Sequence, residues 1–422
     1  MTVHYAQPSK KTVRVAYVHY EVEASDLAPK WIDRLLDRAY GLAKRRKRIK
    51  LLINPFGGTG KAQKLYTSYI EPIFAAARCE VDVERTQYSG HAVDIAERLD
   101  IEAYDLLASA SGDGLPHECF NGLGRKSNAA EALRKLAVVQ LPCGSGNALS
   151  WNLNGTGDCG IAALEIVKGV RTSLDLVSVT QGEKRTLSFL SSALGVVAES
   201  DLGTDNIRWM GDARFTYGIL TRLISETIYP IEYSVKEDIV DKEDIKRHWL
   251  SSLSSAPPDR DLEPSALEGQ GLPELKYGTI NDPLPSTWTS MTDYPNMGNF
   301  YAGNLCIVTA DTPFFPAALP SDGLIDLVTV DGDVGRKKSV EMLLNVPKGR
   351  FMDMEGVRYR KVSGLRVVPK FGGKDKGYYS VDGEKFPFEP FQLEVHRGLG
   401  TTLGKMGTKG RFEYEPGWSK EA

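Results

Sequence analysis

The sequence predicts an α/β domain built on a doubly wound parallel sheet, followed by a mainly antiparallel β-sandwich domain. Three observations predict this. Between residues 49 and 180, short apolar strands alternate with helices, the pattern of a parallel sheet covered on both faces. After residue 170 the pattern changes to alternating strands joined by turns. Glycine makes up 41 of 422 residues, above the usual share of about 7%, and it clusters directly after predicted strands.

Composition narrows the classes of function. With 41% apolar and 25% charged residues, the chain has ordinary globular usage. Its formal charge is 52 − 55 = −3, without the basic surplus of a dedicated nucleic-acid binder. No run of 18 apolar residues is present, so no spanning helix is expected. The segment Met1 to Lys10 lacks the apolar core of a signal peptide. Cysteines at 79, 119, 143, 159 and 306 form no CxxC pair. This argues against a disulfide framework or a cysteine zinc cluster and fits a reducing compartment, so a cytoplasmic location is expected.

Three regions are expected: a lead-in over 1–47, an α/β domain over 48–172 and a β-rich domain over 173–422. In the lead-in, Val13 to Val18 reads as a strand and Trp31 to Ala43 as a helix. The run Lys44-Arg45-Arg46-Lys47-Arg48 reads as that helix's C-terminus, its cations complementing the dipole; a patch for anionic lipid or a nuclear signal is the sharper alternative. Strands are predicted at Ile49–Ile53, Glu80–Arg85, Tyr104–Ala110 and Ala137–Leu141, with helices between them. Ser89, Asn128 (with Glu131) and Asp158 are the expected helix caps.

Beyond 172, Leu174–Thr180 and Arg185–Leu190 form a hairpin around Gln181-Gly182. Further strands are expected at 305–310, 324–330, 365–369, 377–382 and 392–396, with 337–346 the clear helix among them. The stretch 236–299 is polar, with seven prolines between 251 and 300. It reads as a flexible insertion or lid, because structureless stretches of that length are unusual inside a domain.

Three glycine loops carry the chemistry: Asn54-Pro55-Phe56-Gly57-Gly58-Thr59-Gly60-Lys61, Ser111-Gly112-Asp113-Gly114 and Gly144-Ser145-Gly146-Asn147. Each follows a strand and opens a helix. In an open parallel sheet such loops share one edge, where ligands bind. Their N–H groups attract phosphate. The P-loop pattern fails, since Pro55 stands at its first glycine and Ala62 at its Ser/Thr. The dinucleotide fingerprint fails at Leu149. The predicted site is therefore a phosphate cradle of another kind. Asp113 is the only carboxylate in the three loops. Beside a bound triphosphate it is placed to take a proton from an attacking hydroxyl; taken alone, it also fits a helix N-cap.

Four segments together are diagnostic: Asn54 to Lys61, Ser111-Gly-Asp-Gly-Leu-Pro-His-Glu118, Leu141-Pro-Cys-Gly-Ser-Gly-Asn147 and Val381-Asp-Gly-Glu384. In this order they resemble the diacylglycerol kinase-like lipid kinases, and within them the sphingosine (long-chain base) kinases of fungal type. The resemblance spans roughly residues 30 to 400. It implies the diacylglycerol kinase type of α/β fold, ATP and Mg²⁺ as cofactors, and phosphorylation of a sphingoid base.

Carried over by position, the resemblance makes Asp113 the catalytic base, with Ser111, Gly112 and Gly114 lining the same spot. Asn54, Pro55, Phe56, Gly57, Gly58 and Lys61 match the first nucleotide loop. Thr86, Gln87, Tyr88, Ser89 and Gly90 match the adenosine side, with Glu118 beside them. Gly144, Ser145 and Gly146 match the phosphate loop, Arg208 and Arg214 the phosphate arginines, and Asp382, Gly383 and Glu384 a C-terminal return to the nucleotide. Asp201 matches the carboxylate that holds the substrate amine, and Ser191 a nearby polar contact. No metal ligand is identified. Phe56 and Thr59 depart from the arginine and lysine of other members, shifting charge neutralisation to Lys61, Arg208, Arg214 and Mg²⁺.

The lipid tail is expected in the β domain, among Phe189, Leu190, Leu194, Phe215, Leu220, Leu223, Ile224, Phe314 and Phe315. The Phe314-Phe315 pair is a candidate for transient peripheral membrane contact, and a homodimer is a further expectation. His117 and Cys143 read as structural. A ceramide or diacylglycerol kinase of the same fold, a NAD kinase-like enzyme and a silent lipid-binding protein are the rival readings.

Overall fold

The computed structural model describes residues 1–22, 27–58, 60–203, 228–254, 270–310, 312–370, 377–405, 408 and 411–420. The chain opens with an antiparallel hairpin, β1 (Thr2–Ser9) and β2 (Thr12–His19), and then α1 (Leu27–Tyr40). The lead-in thus contains one strand more than expected. It is anchored through Val13 and Val15, which pack on the first domain's core, and through Thr12 Oγ1, which donates to Asp158 at 2.7 Å. The basic run does not form the helix's C-terminus: α1 ends at Tyr40, Lys44 to Lys47 lie in the connection that follows, and Arg48 opens the next strand. Lys47 is buried and donates to the Val167 carbonyl, and Lys44 and Arg48 pair with Asp105.

The α/β domain follows as β3 (Arg48–Ile53), α2 (Ala62–Leu65) running through a π-turn (Tyr66–Ile70) into α3 (Glu71–Ala76), β4 (Glu80–Arg85), α4 (His91–Arg98), β5 (Leu106–Ser111), α5 (Gly114–Gly124), α6 (Ala129–Lys135), β6 (Ala137–Pro142), α7 (Ala148–Asn154) and α8 (Cys159–Lys168). Its four strands are parallel in the order β4-β3-β5-β6. Side chains alternate between two cores, as period-2 geometry requires. Ile49, Leu51 and Ile53 of β3, with Leu106, Ala108 and Ala110 of β5, face the α2–α3 and α8 side. Leu52, Leu107 and Val138 face α4, α5 and α6. The chain steps from β3 outward to β4 and back across to β5. That reversal makes the β3/β5 boundary the switch point where such sheets bind ligands.

Asp158 caps α8 as expected, accepting from the Ile161 N–H at 2.8 Å. The other two expected caps are corrected. Asn128 makes no side-chain cap and instead donates to Glu131 Oε2. Ser89 does not cap α4. Gly90, at φ +88°, precedes that helix, and Glu118 reaches across from α5 to accept from the N–H groups of Gly90 and Ala92, each at 3.0 Å.

The second domain begins with the expected hairpin, β7 (Val170–Gln181) and β8 (Lys184–Ser188). It continues with β9 (Ser191–Gly195), α9 (Val196–Leu202), β10 (Ile231–Ile239), α10 (Lys242–Ser254), β11 (Thr292–Tyr294), β12 (Met297–Gly303), β13 (Ile307–Thr309), β14 (Thr312–Pro313), β15 (Ile325–Asp331), α11 (Arg336–Asn345), β16 (Val357–Pro369), β17 (Tyr379–Val381), β18 (Glu384–Phe386) and β19 (Phe391–Gly404). All but β13 and β14 join one antiparallel 11-stranded sheet, whose main path is β18-β17-β9-β12-β15-β16-β19-β7-β8. The sheet folds over on itself. β17 and β19 lie far apart along that path, yet Tyr379 of one stacks on Phe391 of the other with ring centroids 4.0 Å apart. A single apolar cluster fills the space between the two layers.

The expectation of a flexible insertion over 236–299 is corrected for its described part. β10 pairs with β16, and β11 and β12 are strands of the same sheet. Residues 276–288 lie across that sheet. Glu394 accepts from the Lys276 and Tyr277 N–H groups, and Arg366 donates to the Thr279 and Asp282 carbonyls. The polarity misled because buried side chains of the sheet hold it down, with the segment's own Trp288 buried over Gly364 of β16.

Candidate active site

The three glycine loops meet at the switch point. Their contact is backbone against backbone, which gives the glycines a second reason beyond phosphate. A Cβ on Gly144 would stand 2.3 Å from the Gly112 Cα and N, and one on Gly112 would stand 2.9 Å from the Gly146 carbonyl oxygen. Gly58, at φ +57°, abuts Gly144. Asn54 Oδ1 accepts from the N–H groups of Phe56 and Gly57, each at 3.0 Å, so its side chain shapes the first loop from within. Gly144→Ala is expected to push the second and third loops apart. Displacements of about 1 Å at a reacting centre cost on the order of 10²-fold. Steady-state kinetics should therefore show kcat/KM for ATP falling by about that factor, and a value within twofold of wild type would contradict this packing role.

Asp113 stands in the turn between β5 and α5, but its carboxylate does not cap its own helix. It reaches to the start of α7, where Oδ2 accepts from the Ala148 N–H at 2.9 Å and Oδ1 from the Leu149 N–H at 3.3 Å. Gln140 Nε2 donates to Oδ1 at 3.1 Å, and Gln140 Oε1 accepts from the Ser150 N–H at 2.9 Å. These three donors use three of the roughly four lone-pair positions of a carboxylate, leaving one for a substrate hydroxyl. Burial within surrounding protein pushes the Asp113 carboxyl up to about 6. The N–H donors oppose that rise and the charge of Asp382 adds to it. A carboxylate that ionises near neutral pH, held at its orientation, is suited to general-base work.

Asp382 occupies the turn between β17 and β18, at φ +54°, and is 3% exposed. Its Oδ1 accepts from Ser188 Oγ at 2.6 Å and from the N–H groups of Leu190 and Ser191, each at 2.9 Å. Its Oδ2 accepts from the Phe189 N–H at 3.1 Å and is paired with His117 Nδ1 at 2.8 Å. Burial disfavours charge on His117, but the bond and charge of Asp382 outweigh it and raise its pKa. Asp382 is therefore a lock between the C-terminal hairpin, the β8–β9 connection and α5; its oxygens are spent inside the protein rather than aimed at a nucleotide. Glu384, just beyond, does face the site. Its Oε1 would lie 2.9 Å from a Cβ placed on Gly114.

One cavity of about 870 Å³ contains these groups. Its polar arm is lined by Asn54, Phe56, Gly57, Gly58, Thr86, Tyr88, Ser89, Glu118, Gly144, Ser145 and Gly146, with Asp382, Gly383 and Glu384 alongside. Ser111, Gly112, Asp113 and Gly114 stand in the middle. The other arm is apolar, lined by Leu190, Ala193, Val197, Ala198, Tyr301, Val308, Phe314, Val340, Leu343, Leu344, Val346 and Pro347, with Ser191 and Ser200 at its polar end. Pro55, Lys61, Gln87 and Gly90 are not on its wall, and Lys61 is exposed at the start of α2. Glu118 lines the wall but spends both oxygens on capping α4. Asp201 lies on α9, its side chain outside the described residues; Arg208 and Arg214 lie outside them altogether, as do Phe215, Leu220, Leu223 and Ile224.

The tail candidates divide. Leu190 and Phe314 line the apolar arm, while Phe189, Leu194 and Phe315 are buried core. The Phe314-Phe315 pair is not an exposed membrane contact. Phe315 is fully buried, and Phe314 packs on Tyr301 and Phe351 at 4.9 Å each. Sequence reasoning missed Gln140, Tyr301 and the α11 wall. Gln140 had a signal, being the one polar residue inside the apolar run Ala137–Leu141. For α11, which reads as an ordinary amphipathic helix, only its packing reveals the role.

A glycine-loop nucleotide fold whose central carboxylate opens onto a lipid-sized apolar arm defines a lipid kinase of the diacylglycerol kinase class. Residues 48–179 match the diacylglycerol kinase catalytic domain, and residues 1–41 match a family described as a domain of unknown function. Sphingoid long chain base kinase 5 of Saccharomyces cerevisiae is 34% identical over 96% of this chain and 67% of its own length. Sphingoid long chain base kinase 4 of Schizosaccharomyces pombe is 37% identical over 96% and 84%. Human sphingosine kinase 1 is 28% identical over 84% and 90%. Among solved structures, a protein of the diacylglycerol kinase type from Bacillus anthracis superposes with a TM-score of 0.59 at 17% identity, covering 86% of this chain and 98% of that one, a likeness of fold. This chain belongs to the sphingoid long-chain base kinases.

Proposed function

We propose that this protein transfers the γ-phosphoryl group of ATP to the primary hydroxyl of a sphingoid base, giving its 1-phosphate. The observation that carries the reading is the position of Asp113, at the junction of one cavity with a glycine-loop arm on one side and an apolar arm on the other. The phosphoryl donor belongs in the first arm and the alkyl chain in the second, so the terminal primary hydroxyl, at the end of the base away from its chain, meets the carboxylate. Asp113 takes the proton as the oxygen attacks, while Gln140 and the α7 N–H groups hold it in line. Phosphoryl transfer is otherwise mostly positioning and charge neutralisation. Arg208 and Arg214 are proposed to supply part of the latter.

Mg²⁺ suits the site. It is held by one or two carboxylates together with phosphate oxygens; Glu384, which faces Gly114 at the start of α5, would hold it, while Asp113 keeps its one open position for the substrate hydroxyl. Bound there, it would neutralise phosphate charge. Asp201 is proposed to hold the substrate amine. It lies on α9, the helix whose Val197 and Ala198 are on the cavity wall, and it matches the headgroup carboxylate of the sphingoid base kinases. Ceramide and diacylglycerol lack that amine, so their kinases would have no use for such a carboxylate. Charge-assisted bonds contribute about 1.5–3 kcal/mol, so Asp201→Asn should raise the sphinganine KM at least tenfold with the ATP KM within twofold. An unchanged sphinganine KM would remove Asp201 from the headgroup site.

Five free cysteines, four of them buried, support work in the reducing cytoplasm. Among the described residues no helix is long and apolar enough to cross a membrane, and we propose that the enzyme meets its substrate by transient peripheral contact. The direct test of the function is radiolabelled ATP with sphinganine, phytosphingosine, ceramide and diacylglycerol. Labelling of both free bases and of neither neutral lipid is the expected result; labelling of diacylglycerol alone would overturn the reading.

A further inference from the structure

We propose that α11 and the turn after it, residues 336–350, form the surface on which the protein rests against an anionic bilayer while its lipid enters the cavity. This builds on the sphingoid-base reading and assigns it a docking face. The helix has two working sides. Inward, Val340, Leu343 and Val346 wall the apolar arm of the cavity. At the mouth of that arm, Leu344 and Pro347 line the cavity and also face solvent, Leu344 being 60% exposed despite being apolar.

Charge singles this segment out. Residues 336–350 contain Arg336, Lys337, Lys338, Lys348 and Arg350 against Glu341 alone, 5 − 1 = +4, in a chain whose total is −3. Three of the cations occupy the first turn of α11, the end where the helix dipole disfavours positive charge. Lys338 pairs with Glu355 at 3.1 Å, and that carboxylate is almost fully exposed. Among the described residues, Lys337, Lys348 and Arg350 have no ion-pair partner. A segment that gathers cations against its own dipole and leaves Lys337, Lys348 and Arg350 without an ion-pair partner among the described residues is matched by an external anionic surface.

A bilayer fits better than a protein partner because the same helix faces the lipid cavity. With Leu344 and Pro347 set into the headgroup layer, a tail leaving the bilayer passes into the apolar arm without crossing water. Interfacial helices bind by this combination of a shallow apolar insertion and flanking cations. Each cation near an anionic leaflet strengthens partitioning roughly fivefold, and salt screens the effect.

The test uses the full chain and the triple variant Lys337→Glu, Lys348→Glu, Arg350→Glu, none of which lines the cavity. Sedimentation with phosphatidylcholine vesicles, with and without phosphatidylserine, measures binding. Wild type should bind the phosphatidylserine vesicles, more weakly at high salt, and leave the others. The variant should lose at least tenfold in partitioning and lose activity in parallel on sphinganine in those vesicles. Its kcat and KM on a short-chain sphingoid base dissolved in water should stay within twofold of wild type. Equal binding by the variant, wild-type binding that ignores phosphatidylserine, or an equal loss on the dissolved base would each overturn the proposal. The vesicle arm needs no turnover, so its failure is distinct from failure of the substrate reading, which would appear as no transfer to the dissolved base by wild type.

Discussion

Asp113→Asn should lower kcat about 10²–10⁴-fold, the usual contribution of a positioned general base, with both substrate KM values within a few-fold of wild type. The asparagine still accepts from the α7 N–H groups through its one oxygen, so the loops stay in place and what is lost is the basic lone pair. In wild type the same group sets the pH profile. Because the Asp113 carboxyl is pushed up to about 6, kcat should fall as pH drops through that value, in proportion to the ionised fraction. The stability consequence has the opposite sense. A carboxyl raised above its ordinary value of 3.8 favours folding most when protonated, and that contribution fades as pH rises from about 4 through 6. Activity and this part of stability therefore trade against each other between pH 4 and 7. Full kinase activity in the asparagine variant would overturn the mechanism.

Asp382→Ala should be the most destabilising single change near the site. It strips the acceptor from three N–H groups, one hydroxyl and His117 at once, all in buried surroundings. Removing one partner of a buried charged network costs about 3–5 kcal/mol. At roughly 2–4 °C per kcal/mol, the melting temperature should fall by about 10 °C. Kinase activity should fall as well, because the lock positions Ser191 on one side and Glu384 on the other, and because its charge helps to raise Asp113. Asp382→Asn should be milder, since one oxygen still accepts. Thermal unfolding monitored by circular dichroism separates the variants, and a shift below 2 °C for the alanine would show that the network is dispensable.

Much of this could be read directly from the chain. The parallel sheet, its strand boundaries to within a residue or two and the three loops followed from apolar periodicity and glycine placement, because local backbone demands leave local marks. Asp113 was legible for the same reason: it is the one carboxylate in a loop set built for phosphate. Contacts between distant segments left no such mark. Asp382 reads as a nucleotide contact in a hairpin turn and does line the cavity, but its role as a buried lock was not legible, because its partners lie nearly 200 or more residues away in sequence. Ser89 looked like the α4 cap, yet Glu118 of another helix supplies it. The 276–288 strap looked loose because Glu394 and Arg366, which hold it, belong to strands elsewhere in the chain.

The sequence by itself thus determined the fold class, the phosphate loops and the base, since each rests on residue types that the local backbone or the chemistry requires. The tertiary structure alone decided which glycines pack against one another, what holds Asp113 and Asp382, and that α11 walls the lipid arm. The glycine packing and the hold on Asp113 arise where loops of distant strands meet within the parallel domain; the Asp382 lock arises where the curled sheet closes against that domain. Closure pairs side chains far apart in the chain, and periodicity along the chain carries no record of which distant side chain will fill a given hydrogen bond or cavity wall.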